Sequence, residues 1–378
     1  MHDEFPLDPE LCHLNHAAVG PWPRRTAEAV SRFAEENARW GSLAYPQWLA
    51  VEQRLRERLA RLIGAVSPDE IALAKNTSEA LSVIAHGIDW RPGQTVVGIA
   101  QEFPSNRIVW ESLASLGVTW RGLDLDASAD PEADLIAMCD GNTRLLAVSW
   151  VQYASGRRLD LERLGAHCRA HGILFCVDAI QGLGALPCDV RRFQADFMVA
   201  DGHKWLLGPE GLALLYVRPE LRDTLTLRQF GWHMVEQVGD FDRTDWSPAR
   251  SARRFECGSP NLLGTHALEA SLSLIEEIGM DRIWSRLQER TAHLIASIEG
   301  RGFELMTPAD PGLRAGIISF RIPGIPAEPL YRELMQRKVL CACRGGGIRF
   351  SPHFYTPVAM IDRAMEILDE TLASRGSG

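Results

Sequence analysis

Two neighbouring runs decide how this chain is read: VDAIQGLGALPCDV at 177–190 and ADFMVADGHKWLLGPEGLALLYV at 195–217. The segments GILFCVD, DFMVAD and LALLYV are short apolar runs bounded by Gly and Pro, the length and punctuation of buried strands. Between the last two stands Lys204. The chain has 40 basic side chains, yet only Lys75, Lys204 and Lys338 are lysine. Arginine stays protonated and offers no single nucleophilic amine, whereas a buried lysine loses its proton readily and condenses with carbonyls. A lysine with apolar, Gly-rich sequence on both sides therefore reads as functional, with a solvated surface lysine as the plain alternative.

The same pattern extends outward. IALAK (71–75), TVVGIA (95–100), 118–123 and RLLAVSWV (144–151) are further strand-like runs. Helical stretches at 76–88, 104–116 and 161–171 separate them. This alternation predicts an α/β fold with a mostly parallel sheet covered by helices. Two amphipathic helices are expected ahead of it, at 23–39 and 46–63. In the second, Leu49, Leu55, Leu59 and Leu62 fall at helical spacing. After residue 265 come helices at 265–278 and 282–298, strands near AGIISFRI, KVLCAC and GIRFS, and a last helix at 357–374. The expected division is an N-terminal segment, 1–20, packing with a small α+β domain, 265–378, around a large domain, 21–264.

Composition narrows the class. Of 378 residues 46% are hydrophobic, enough for a sizeable core, and the net charge of −9 argues against nucleic acid or an anionic membrane as partner. No apolar run approaches the ~20 residues of a membrane span. The acidic start MHDEFPLDPEL lacks the apolar core of a signal peptide, so the expected location is the cytoplasm. Eight cysteines are scattered without a CxxC pair, which reads as reduced thiols.

Other positions carry chemistry only in combination. Asp178 ends a buried strand, where open α/β sheets bind ligands, and Ile180 would share its face. A carboxylate there could hold a protonated ring nitrogen, cap a helix or bind a metal; no HExxH or second ligand at metal spacing accompanies it. Thr77 and Ser78 stand at a strand-to-helix transition, a place for phosphate or for ordinary capping. Phe103, in QEFPSN, could stack on a flat ring or fill a core. His203 adjoins the lysine. Gly258 and Ser259 form a compact turn suited to an anion. Arg349 follows three glycines in GGGIRFSPHFY and could bind a substrate carboxylate or a surface acid. QGLGALP starts like a dinucleotide fingerprint, but Pro187 stands where its third glycine belongs, and GPEG is no phosphate-binding GK[ST] loop.

The order of these elements is the stronger signal: Thr/Ser at a helix start, an aromatic, Asp-x-x-Gln, His-Lys, a Gly-Ser turn and a late Arg. It resembles the class V aminotransferase family of pyridoxal-phosphate enzymes, fold type I, which includes cysteine desulfurases and isopenicillin N epimerase-like proteins. The resemblance runs from LNHAAVGP to RFSPHFYTP. It implies a seven-stranded-type sheet in the large domain, pyridoxal 5'-phosphate as cofactor, and a small α-amino acid as substrate. Lys204 would be the Schiff-base lysine and proton carrier. Asp178 would pair with the ring nitrogen, Gln181 would reach the ring hydroxyl, Phe103 and Ile180 would sandwich the ring, and Thr77, Ser78 and His203 would hold the phosphate. Ser259 would complete the neighbouring subunit's site, making the protein a homodimer. Arg349 would bind the substrate carboxylate, Gln152 would lie near substrate and ring hydroxyl, and Asn15 and His16 would line the entrance. The implied reaction is transamination or carbon–sulfur lysis, with epimerisation, a silent binding protein, or a metal-dependent hydrolase using Asp178 and His203 as alternatives.

Two departures from the family pattern matter. Asp201 stands where many relatives carry a phosphate-touching Ser; an acid there must point away, be protonated or pair with a cation. The segment CACRGGGIR is too short for the loop that carries a desulfurase's cysteine, so Cys341 and Cys343 read as structural.

Overall fold

The computed structural model describes residues 2–375. Its helices are α1 (Arg24–Trp40), α2 (Tyr45–Ile63), α3 (Thr77–Gly87), α4 (Ser105–Glu111), α5 (Pro131–Met138), α6 (Leu161–His171), α7 (Leu262–Ile278), α8 (Met280–Glu299), α9 (Ala327–Gln336) and α10 (Val358–Arg375). Three sheets accompany them. Strands β1 (Cys12–His13) and β11 (Val339–Leu340) form a parallel pair. The large sheet contains β2 (Ile71–Ala74), β3 (Thr95–Ile99), β4 (Thr119–Leu123), β5 (Thr143–Ser149), β6 (Leu174–Asp178), β7 (Phe197–Asp201) and β8 (Ala213–Val217). The small sheet contains β9 (Glu304–Leu305), β10 (Ile318–Arg321), β12 (Ala342–Arg344) and β13 (Gly347–Phe350).

The large sheet has the order β2-β8-β7-β6-β5-β3-β4, and only β8 runs against its neighbours. Alternate residues of each strand feed two different cores. Val97, Val148, Val177 and Met198 pack toward Leu55, Leu59 and Ile63 of α2. Val96, Leu145, Cys176 and Val199 pack toward Leu81 and Ile84 of α3 and Trp110 of α4. Burial on both faces explains why these strands are continuously apolar in sequence. The chain leaves β3 toward β4 at the edge, then returns to place β5 on the other side of β3. The crevice at the carboxyl ends of β3 and β5 is thus a topological switch point, where such sheets bind ligands.

The small sheet packs Ile318, Phe320, Ile348 and Phe350 against α8, α9 and α10, together with Cys12 and Leu14 of the N-terminal segment. Three details differ from expectation. Helix α7 packs on α1 and α2 and gives Leu268, Leu272 and Ile275 to the large core, so the boundary expected at 264/265 falls inside a helix of the large unit. The helix expected at 104–116 tightens into a 3-10 turn at Ser112–Leu116. The run KVLCAC divides between two sheets, β11 pairing with β1 and β12 with β13.

Candidate active site

Lys204 follows β7 directly and is only 8% exposed. The N-terminal segment presses on its backbone. Gly20 donates its N–H to the His203 carbonyl at 2.8 Å, and a Cβ at Gly20 would lie 2.5 Å from the Lys204 carbonyl oxygen. Only glycine permits that approach. The Lys204 amine makes no ion pair within the described residues. Burial lowers its pKa to about 8, with Arg349 and Arg344 adding to the fall and Asp178 and Asp201 opposing it.

Asp178 ends the adjacent strand β6 and is 2% exposed. The Ile180 N–H donates to its Oδ1 at 3.0 Å, and among the described residues no cation pairs with it. Burial raises its pKa to about 6, against the opposing pull of the Ile180 N–H and Lys204. Ile180 itself is partly exposed. Phe103 lies beyond β3 and is 41% exposed, unusual for a ring beside a buried amine. Its centroid is 5.5 Å from Lys204 Nζ, and Tyr153 meets it edge-on at 5.3 Å.

At the start of α3 the cap is Asn76, whose side chain accepts the Glu79 N–H at 2.9 Å. Thr77 is therefore released from the capping role left open by the sequence, and its Oγ1 is buried without a partner. Ser78 is exposed, with its hydroxyl 2.7 Å from that of Ser105. Asp201 lies 2.8 Å from His203 Nδ1, an ion-pair distance that is off hydrogen-bond alignment. The contact is an ion pair only with the His203 ring protonated.

Arg349 occupies β13, an inner strand of the small sheet. Its neighbours Ile348 and Phe350 face the small core, so Arg349 faces the opposite way. Its Nη1 donates to the Tyr153 carbonyl at 2.7 Å, its Nη2 reaches Asn15 Oδ1 at 3.5 Å, and its Nε is buried without a partner. Burial, with Arg344 adding, lowers its pKa to about 10, which still leaves it cationic at neutral pH.

Two expected residues have other work. His16 is 0% exposed and does not line an entrance. Its Nδ1 donates to the Ser351 carbonyl at 2.9 Å, and its Nε2 lies 2.7 Å from the Tyr355 hydroxyl. Both nitrogens thus fasten the N-terminal segment to the chain after β13. Gln181 donates from Nε2 to the Ala17 carbonyl at 3.0 Å and accepts from Trp205 Nε1 at 2.9 Å, which braces the lysine's neighbour. Ser259 is exposed on the turn before α7.

One residue went unnoticed in the sequence. Glu102, beside Phe103, is 4% exposed and accepts from the Ser149 backbone N–H at 2.7 Å, from the Ser149 hydroxyl and from Gln152 Nε2 at 3.4 Å. Nothing in QEFPSN distinguishes it from a loop acid; the return of β5 beside β3 buries it.

Cavity size does not locate the chemistry. A cleft of about 730 Å³ lined by Phe5, Leu7, Arg290, Tyr355 and Met360 does not include Lys204. Among the described residues no group of three His, Cys, Asp or Glu side chains could hold a metal ion. The set around Lys204 instead fits pyridoxal phosphate. It offers an amine, a buried carboxylate lacking a cation, an exposed ring beside the amine, and an orphaned hydroxyl at a helix start.

Comparison with known proteins agrees. The chain is 32% identical to isopenicillin N epimerase of Streptomyces clavuligerus, over 96% of this chain and 95% of that protein. It is 30% identical to a probable cysteine desulfurase of Methanothermobacter thermautotrophicus, over 97% and 96% of the two chains. The cystine C–S lyase C-DES, solved with its product cysteine persulfide, superposes with a TM-score of 0.90 at 22% identity, over 96% of this chain and 98% of the other. The aminotransferase class-V family model matches residues 14–352, and the chain belongs to that family of pyridoxal-phosphate enzymes.

Proposed function

We propose that this protein is a homodimeric pyridoxal-phosphate enzyme that removes the Cα proton of a small α-amino acid and carries it to transamination or carbon–sulfur elimination. The observation that carries this reading is the buried, unpaired Lys204 amine beside the exposed Phe103 ring and the buried Asp178. When bound, the cofactor supplies an aldehyde that takes up amines and a ring that accepts the electron pair left at Cα.

The chain's own residues do the rest. A pKa of about 8 gives Lys204 some two to three orders of magnitude more neutral amine at pH 7 than a free lysine. Its Nζ can therefore take the Cα proton and return it. Arg349 would hold the substrate carboxylate through a charge-assisted pair, with Asn15 steadying the guanidinium. Asp178 would keep a ring nitrogen protonated, and Phe103 would cover one ring face with Ile180 on the other. The Thr77 hydroxyl, Ser78 and His203 would receive the phosphate, while Asp201 faces His203 instead of the anion. Gln152 would serve the ring hydroxyl or the substrate. Ser259 would reach the site of the second subunit.

The thiols favour elimination without sulfur transfer to the protein. Ala342 pairs with Arg349, so Cys343 lies on the opposite face of β12, and Cys341 is buried in the small core. Burial raises the Cys341 thiol to about 12, and burial with Glu328 raises Cys343. Neither is a ready nucleophile. Among the described residues no helix is long and apolar enough to cross a membrane, and eight unpaired cysteines fit a reducing compartment such as the cytoplasm.

Incubation with a panel of amino acids that includes cysteine and cystine tests the reading. Keto acid without ammonia identifies transamination, and pyruvate with sulfide or persulfide identifies lysis. Inversion of configuration alone would replace both with epimerisation. No turnover and no near-visible band after addition of pyridoxal phosphate would refute the proposal.

A further inference from the structure

Glu102 is a buried acid for which the chemistry above has no use. It sits at the switch point between β3 and β5, and all three of its side-chain contacts come from donors: the Ser149 N–H, the Ser149 hydroxyl and Gln152 Nε2. The amide of Gln152 thus has its nitrogen toward Glu102, and its oxygen makes no hydrogen bond among the described residues. Ser149 is also the register partner of Asp178 across β5 and β6. The titratable groups facing Glu102 are Asp178 and Cys176, both on β6. Among the described residues no cation pairs with it.

We propose that Glu102 is a positioning residue. It holds Gln152 with its carbonyl oxygen free for the ring hydroxyl or the substrate amine, and it stands as a second carboxylate behind Asp178, so that its charge helps set how tightly the site keeps its proton. The inference rests on the functional reading above. The electrostatics agree with the geometry: burial raises the Glu102 pKa to about 7, with Asp178 adding, while the Ser149 and Gln152 donors oppose the rise. The group is therefore poised to change charge near neutrality.

The test is the holoenzyme carrying Glu102→Gln. The near-visible band of the bound cofactor is titrated against pH, and KM is measured alone and together with Gln152→Ala. Loss of the negative charge should lower the midpoint of the band by about half a pH unit or more. KM should rise in each single variant, and Glu102→Gln should add nothing in the Gln152→Ala background. A midpoint and KM equal to wild type would overturn the proposal, as would a loss of melting temperature with the midpoint unmoved. If Glu102→Gln does not fold, Ser149→Ala removes one donor, keeps Glu102 neutral to higher pH, and should shift the midpoint the same way by less; no shift overturns the proposal.

A wild-type protein without a near-visible band would sink the functional reading but not this test, because melting of the protein alone also reports Glu102. A carboxyl whose folded pKa is raised contributes stability below its unfolded value of 4.5 that is lost as pH rises through about 7. The melting temperature of Glu102→Gln, relative to wild type, should therefore climb between pH 5 and 8. A constant difference would contradict the proposal.

Discussion

Two of the cations buried in this molecule are treated in opposite ways. Arg56, on α2, is enclosed by Glu256, at 2.6 and 2.7 Å, by Glu52 at 2.6 Å and by the Ile71 carbonyl at 2.9 Å. Its partners hold the guanidinium firmly charged, above its usual value despite burial. Glu256 also accepts the Leu73 N–H at 2.9 Å, so the cluster ties α2 to the edge strand β2. Lys204 is buried to a similar degree but has no carboxylate in ion-pair contact, and burial drives its pKa down. A buried charge that is fully partnered stabilises a scaffold; one left wanting is available for chemistry.

Substitutions at the two cations break this contrast most directly. Lys204→Ala should cut turnover by about 10⁴-fold while leaving the melting temperature at or above wild type, since it removes a poorly partnered amine. Arg56→Met should do the reverse. It strands two buried carboxylates and should cost about 3–5 kcal/mol in urea unfolding, with activity per folded molecule retained. If Arg56→Met instead abolished activity in folded protein, the division between scaffold and site would fail.

Smaller effects sharpen it. Asp178→Asn keeps the shape but loses the charge, and should lower turnover by about 10²–10³-fold with less effect on KM. The histidines near the N-terminal segment supply a third kind of buried group, neutral, with both ring nitrogens bonded in His16 and His353 and the Nδ1 of His13 buried without a partner among the described residues. Burial lowers His13 and His353 to about 4 and His16 well below its usual value. Their neutral forms stabilise the fold above the unfolded value of 6.5, and that contribution is lost as pH falls toward about 4. Melting temperature should decline over that window, and His16→Asn should flatten the decline while lowering the plateau.

The same contrast explains how much could be read from sequence. Strands buried on both faces advertise themselves as unbroken apolar runs, and Lys204 and Asp178 stand at their ends, so both were legible. Residues defined by long-range neighbours were not. Glu102 resembles any loop acid until β5 returns beside it. His16 sits in an open-looking NHAAVG, and only Ser351 and Tyr355, far along the chain, bury it. Thr77 could have been its own cap until Asn76 took that place. KVLCAC reads as one strand because nothing local reveals that the N-terminal segment claims its first half.

The most direct test of the central claim uses the scarcity of lysine. Protein incubated with pyridoxal phosphate is reduced with borohydride, digested, and its peptides weighed. With lysines only at 75, 204 and 338, the fixed cofactor mass should appear on the peptide containing Lys204. Label confined to Lys75 or Lys338, or absent from Lys204 in protein that has bound the cofactor, would contradict the account.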